Sequence, residues 1–133
     1  MIRHADLIRN YVRDNVLTTY FPSVKWDESD RPFTDLTSKI VYCRQEGLAV
    51  DAFVRQVSVD IYLFSKQGAN SSDMNALYDD AVTALEYLKA NPNVDNGGVL
   101  GTTKISVTSD VTGEFYTGQN RLYYRFSIMC MSD

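Results

Sequence analysis

The side chains of this chain that could perform catalysis do not form a recognised catalytic pattern. The single histidine, His4, stands on a terminal segment with no partner motif around it, which indicates a solvated surface residue and not a member of a triad. Asp79 and Asp80 are adjacent on a predicted helix, so their carboxylates diverge and make a poor metal clamp. The run from Asp27 to Asp30 lacks the spacing of an EF-hand and indicates a solvated acidic loop.

The glycine-rich stretch GGVLGTTK, residues 97–104, is not a phosphate-binding loop of the Walker type. Lys104 does not follow the last glycine, and a strand is predicted where the Walker motif requires a helix. Cys43 and Cys130 are too few for a disulfide framework or a zinc site and fall in strand-like runs, which predicts two reduced, buried thiols. We therefore expect no enzyme, no cofactor and no metal. The alternative is a small hydrolase or ligand-binding module, which would show a deep polar pocket.

Composition and charge are those of an ordinary globular domain, and we expect residues 1–133 to form one domain. Hydrophobic residues make up 44% of the 133 and charged residues 23%. The net charge of −4 argues against nucleic-acid binding through phosphate contacts, which needs clustered Lys and Arg. The N-terminus has no apolar core of a signal peptide, and no apolar run approaches the roughly 20 residues that span a bilayer. The 9 tyrosines suit either an interface or a strand-rich fold.

The spacing of apolar residues predicts an α+β fold with the order α-β-β-α-β-β. The predicted helices cover residues 5–20, ended by Pro22, and the region up to Ala90, capped by Ser71 or Ser72. The predicted strands are 38–44, 54–66, 103–111 and 121–131. We expect one mostly antiparallel twisted sheet with both helices packed on one face.

The strand VRQVSVDIYLFSK, residues 54–66, has two different faces. One carries only core-type side chains: Val57, Val59, Ile61 and Leu63. The other carries Tyr62 and Phe64, and Tyr123 and Arg125 occupy the matching face of the last strand. This second face is too aromatic to be simply solvated and too polar to be core, so we expect these four residues to lie in an interface. Trp26 and Phe33 indicate that the irregular stretch 21–37 also packs against something.

The order of these elements and their patterns of apolar and polar residues resemble those of the tail terminator proteins of long-tailed phages, of the lambda minor tail protein U type. The resemblance rests on the N-terminal helix ADLIRNYVRDNV, the acidic approach DESDRPF, the long strand QVSVDIYLFSK leading into DMNALYDDAVTALEYL, and the terminal strand RLYYRFSIMCM. It spans nearly the whole chain. The stretch 21–37 and the loop VDNGGVLG depart from the family pattern.

The resemblance implies a structural protein of the virion, at the head-proximal end of the tail, assembled in the host cytoplasm. Such proteins form a hexameric ring that caps the tail tube protein, stops its polymerisation and presents a surface to a head-completion or connector protein. DNA would pass through the lumen without specific binding. Further candidate contacts with the tube or a neighbour are Arg31 and Phe33 in the acidic loop, and Leu48 and Val50 in the arm between the first two strands. The alternative within the virion is another head–tail joint or tail-completion protein.

Overall fold

The computed structural model of the protein describes residues 4–26, 37–50, 55–95, 102–118 and 120–132. In these residues the chain is a mixed α/β fold with two helices and a curled, mostly antiparallel sheet of seven strands. The elements are α1 His4–Asn15, β1 Phe21–Ser23, β2 Ile40–Val50, β3 Arg55–Phe64, α2 Ser71–Ala90, β4 Asn93–Asp95, β5 Thr102–Val107, β6 Thr112–Tyr116 and β7 Leu122–Ser132.

The sheet has the strand order β1-β2-β3-β7-β5-β4, and β6 pairs with β7 beside β5. Only the short β1 runs parallel to its neighbour β2. The four strands predicted from the sequence correspond to β2, β3, β5 and β7, and β2 pairs antiparallel with β3, in agreement with the predicted mostly antiparallel sheet. The predicted order lacks β1, β4 and β6. These strands are three to five residues long, too short to show the alternation that marks a strand.

One face of the sheet forms the main core. Val57, Val59, Ile61 and Leu63 of β3 are each 0–1% exposed, as their alternation predicted. Their cross-strand partners in β7 include Phe126 and Ile128, which are also buried. Buried side chains of both helices belong to the same cluster, chiefly Ile8 and Val12 from α1 together with Leu77, Ala81 and Leu88 from α2. The predicted burial of both thiols is also confirmed, since Cys43 and Cys130 lie in this cluster.

The helix boundaries differ from the prediction at two places. α2 is capped by Asn70 and not by Ser71 or Ser72. The Asn70 side chain accepts from the N–H of Asp73 at 2.9 Å, and the Asp73 carboxylate accepts from the N–H of Asn70 at 3.1 Å, which makes a reciprocal capping box. α1 ends at Asn15 and not at Pro22, since Leu17 already turns back to donate to the carbonyl of Val12.

Two polar residues of α1 are buried, contrary to the sequence-based expectation. His4 is 8% exposed and therefore not a solvated residue. Arg9 is 7% exposed and forms an ion pair of 2.8 Å with Asp6, three residues earlier on the helix. The aliphatic part of an arginine can cover apolar surface while its guanidinium keeps a partner, so Arg9 extends the packed side of α1.

We expect Leu77→Ala to lower the free energy of unfolding by about 2–5 kcal/mol, because it opens a cavity in the cluster shared by α2 and the sheet. Urea unfolding followed by circular dichroism measures the change. Glu86→Ala, on the exposed side of the same helix, is the control and should alter stability by less than about 0.5 kcal/mol. Equal effects of the two substitutions would show that α2 does not pack as described.

Stability should fall at alkaline pH, because burial raises the pKa of Tyr20 above its ordinary value of 10.0. The second cause is the hydrogen bond of 2.7 Å that its hydroxyl donates to Asp80. A group whose pKa is higher in the folded than in the unfolded state stabilises the fold fully at pH values below its unfolded pKa. The contribution of Tyr20 is therefore present below pH 10 and is lost as the pH rises above 10. Tyr20→Phe should therefore reduce stability at pH 7 and flatten the decline above pH 10 in urea titrations. A Tyr20→Phe variant whose stability declines above pH 10 as steeply as that of the wild type would contradict the assignment.

Candidate functional site

The second face of the sheet carries a row of apolar side chains that crosses five strands. Strand register aligns one residue from each of β1, β2, β3, β7 and β6: Phe21, Ile40, Phe64, Tyr123 and Phe115. Directly opposed residues share a face and pack against one another. The row is therefore a continuous apolar band across the sheet, on the side opposite the main core.

The next rows along the strands become polar. The second row is Ser23, Tyr42, Tyr62, Arg125 and Thr112, and the third includes Arg44, Asp60 and Ser127. Asp60 is 8% exposed and accepts a hydrogen bond from the Ser127 hydroxyl. Along β3 the second face thus changes from aromatic side chains to charged and polar ones. This is why the core residues of β3 alternate in the sequence with aromatic, charged and polar residues.

Trp26 covers the aromatic end of the second face. Its ring centroid lies 5.0 Å from that of Phe64 and 5.7 Å from those of Tyr62 and Tyr123. The tilted and edge-to-face angles are those that aromatic pairs favour, because the edge of one ring is attracted to the face of another. Arg44 closes one side: its guanidinium lies 5.4 Å from the indole centroid, and it donates to the Trp26 carbonyl at 3.4 Å.

This cover raises the pKa of the Tyr62 phenol above its ordinary value of 10.0, with burial as the largest cause. Arg125 and Arg44 beside the hydroxyl oppose the shift, because a positive charge favours the phenolate. The guanidinium of Arg125 also lies 5.3 Å from the ring centroid of Phe115. The two arginines thus place cations against rings of the second face, Arg44 against Trp26 and Arg125 against Phe115.

The predicted interface residues occupy different environments. Tyr62 and Phe64 are 3% and 0% exposed in the single chain, so the expectation that they face a neighbour is corrected: their own chain covers them with Trp26. Tyr123 is half-buried beside them and Arg125 is exposed, and for these two an intersubunit contact stays a prediction. Arg31 and Phe33 lie outside the described residues. Leu48 and Val50 are in β2, but their side chains lie outside the described part.

Exposed large apolar side chains concentrate at two opposite edges of the sheet. Among the described residues they are Phe21, Val24, Tyr78 and Tyr116, each 46–62% exposed. Phe21 belongs to β1 and Val24 follows it, so both lie at the β1 edge. Tyr116 belongs to β6, which pairs with β7 on the far side of the sheet.

A tyrosine–carboxylate cluster organises the β6 edge. The hydroxyls of Tyr116 and Tyr124 donate to the two oxygens of Glu114 at 3.2 and 3.3 Å. Tyr78 of α2 reaches the same place, with its ring centroid 5.4 Å from that of Tyr124. The hydrogen bond to Glu114 is the largest cause that raises the pKa of Tyr116, whereas for Tyr124 burial is the largest. We call Tyr78, Glu114 and Tyr116 the β6-edge patch, and Phe21, Val24 and Lys25 the β1-edge patch.

A cavity of about 330 Å³ lies between the start of α2 and the strands. Its lining includes Lys39 and Lys66, but each lysine pairs with a carboxylate: Lys39 with Asp80 at 3.7 Å and Lys66 with Asp73 at 3.6 Å. The Ser65 hydroxyl donates to the carbonyl of Lys66 and accepts from the N–H of Leu122. The hydroxyl with the best placement for chemistry is therefore used in holding the backbone.

Arg121 is a structural residue that sequence reasoning missed. It directly precedes β7 and is 0% exposed, although arginine side chains are mostly found at the surface. Its guanidinium donates to the carbonyls of Ser65 and Ser38 at 2.8 and 2.7 Å. It thereby joins the ends of β3 and β7 to the chain entering β2. No local pattern marks such a residue, since both partners are backbone groups more than 50 positions away.

No family model matches the chain, and no curated protein matches it. Neither described helix is long and apolar enough to cross a membrane. Within the described ranges, no three His, Cys, Asp or Glu side chains are grouped as metal ligands would be.

Trp26→Ala should destabilise the protein by about 3 kcal/mol, because it removes the cover from the aromatic end of the second face. Trp26 is the only tryptophan, so its fluorescence in the wild type reports directly on this contact during urea unfolding. Tyr116→Ala is the control, since it removes an exposed ring outside the cover and should cost less than about 1 kcal/mol. A Trp26→Ala variant as stable as the control would show that the indole does not hold the second face closed.

Proposed function

We propose that this protein is a phage tail terminator, a ring-forming structural protein that caps the tail tube and provides the surface for head joining. The observation that supports this most is the placement of exposed apolar side chains in two different patches at opposite edges of one sheet. A contact between unlike patches is heterologous, and repeated copies joined in this way form a closed ring when the rotation between them completes a circle. The proposed ring has six subunits.

Both sheet faces have cover within the subunit, which favours assembly through the edges. We infer that α1 and α2 pack on the same face, since buried residues of both belong to one cluster with that face of β3 and β7. Trp26 covers the aromatic end of the opposite face. A subunit whose faces are covered can contact its neighbours without exposing its core.

The acidic composition fits a ring through which DNA passes. Each chain carries a net charge of −4, so six copies carry about −24 by multiplication. Negative charge along a lumen repels phosphates and lets DNA slide without binding. In this proposal the ring contacts the tail tube protein on one side and a head-completion or connector protein on the other, in the virion and, during assembly, in the host cytoplasm.

Another head–tail joint protein would share this subunit geometry, so it is the second candidate within the virion. Electron micrographs of tails assembled without the protein distinguish the two. A terminator predicts overlong tails, because nothing stops polymerisation of the tube. A joint protein predicts tails of normal length that lack heads.

In the part of the chain that the structure describes, the cavity of about 330 Å³ is the feature that favours a ligand-binding module. Its two lysines are engaged with Asp80 and Asp73, which weakens that alternative without removing it. Specific, saturable binding of a small anion, lost in Lys66→Ala, would favour the module over the terminator.

Mass photometry over a range of concentrations, with negative-stain imaging, tests the proposed function. We expect monomers or loose oligomers in dilute solution and rings in concentrated solution or on tube ends. A strict monomer at high concentration that also does not bind tail tubes would contradict the proposal.

A further inference from the structure

We propose that the β1-edge patch of one copy binds the β6-edge patch of the next copy, chiefly through side chains. This inference rests on the proposed self-association and specifies which surfaces meet. The partner is a second copy of this chain, in a head-to-tail arrangement. The carboxylates of two β6-edge patches would repel each other, which disfavours contact of that patch with itself.

Apolar matching provides the first argument. The β1-edge patch exposes Phe21 and Val24 at 52% and 62%, and the β6-edge patch exposes Tyr116 and Tyr78 at 58% and 46%. Tyrosine is enriched at protein interfaces because its ring gives apolar contact while its hydroxyl keeps a polar partner. In the β6-edge patch Glu114 already provides the partner of Tyr116, so that ring is held in place before any contact forms.

Charge complementarity provides the second argument. In the segment Phe21–Trp26 the only charged residue is Lys25, which is exposed. In the segment 110–116 the only charged residues are Asp110 and Glu114, which are also exposed. Unlike charges across a contact select partner and orientation, whereas two β6-edge patches facing each other would bring carboxylates together. The exposed charges of the two patches therefore favour the contact of Lys25 with Glu114 over a contact between two β6-edge patches.

The backbone of β1 explains why the contact would depend on side chains. Phe21 donates its N–H inward to the carbonyl of Lys39, so the next residue, Pro22, directs its backbone outward. Proline has no N–H, and the outer edge of β1 therefore offers no donor at its centre. The pairing of β6 with β7 is also irregular between Thr112 and Phe115. Both edges are poor templates for adding a strand, which leaves side-chain packing as the means of contact.

The test uses two variants that each disable one patch. Phe21→Asp disables the β1-edge patch and Tyr116→Asp disables the β6-edge patch, and both positions are more than half exposed, so the fold should tolerate the changes. Asn10→Asp adds the same charge on the exposed side of α1 and is the control. Circular dichroism and Trp26 emission confirm folding, and Phe21→Ala with Tyr116→Ala repeat the test if a charged variant does not fold.

The expected result is specific to a head-to-tail contact. Each disabled variant alone should be monomeric at concentrations where the wild type and the control form rings. An equimolar mixture of the two should form dimers and nothing larger, because only one intact pair of patches exists between an unlike pair of chains. Analytical ultracentrifugation measures the masses of the species in all five samples.

The outcomes separate this inference from the proposed function. Rings in either disabled variant, or a dimer of one variant alone, would overturn the proposed contact while leaving ring formation intact. A wild type that never assembles would overturn both. Rings that depend on these patches but do not bind tube ends would support the contact and contradict the terminator.

A charge exchange gives an independent test. Lys25→Glu should weaken assembly by about two- to fivefold, the range expected for an exposed ion pair. Glu114→Lys should weaken it more, because it also removes the acceptor of the Tyr116 and Tyr124 hydroxyls. The double variant restores one opposite pair at every contact of a head-to-tail ring, so its assembly should return toward that of the wild type. A double variant as weak as the sum of its parts would show that these two residues do not face each other.

Discussion

The register between β3 and its two neighbours is the constraint on which the rest of the structure depends. β3 pairs with β2 on one side and with β7 on the other along its whole length, so each side chain has a fixed face. A slip of one residue would move Asp60 into the helix-covered core and bring Val59 and Ile61 to the opposite face. A carboxylate buried without partners costs several kcal/mol, whereas in the observed register Asp60 accepts from Ser127. The alternation in β3 therefore selects one register.

The cover of the second face follows from that register. Tyr62 and Phe64 lie on the face of β3 opposite Val59 and Ile61 and form a separate apolar cluster, so that face needs a second layer of its own. The chain provides that layer with one large residue. An indole can contact several rings at once, and Trp26 has four ring neighbours within 6.1 Å. A single tryptophan thus covers the aromatic end of the second face.

How much the sequence predicts depends on how local the interactions are. The long strands and α2 were predictable because alternation and helical spacing are visible within ten to twenty residues. The residue that covers the second face was not predictable, since Trp26 contacts Tyr62 and Tyr123, which are 36 and 97 positions away in the sequence. The sequence correctly predicted that β3 has two different faces. Its aromatic face was predicted to contact a neighbouring subunit, whereas Trp26 of the same chain covers it. The two edge patches were also missed, because β1 and β6 are too short to show a pattern.

The same features that make the edges poor templates for strand addition make them suitable for a closed assembly. Backbone pairing at an open edge accepts almost any strand and can continue without limit, which is how exposed edges cause aggregation. Pro22 removes the central outward donor from β1, and the irregular pairing of β6 interrupts the other edge. Contact then requires particular side chains at a particular angle, and such a contact can close into a ring of fixed size. Edges that cannot extend a sheet fit the proposed role of a subunit that stops the growth of a polymer.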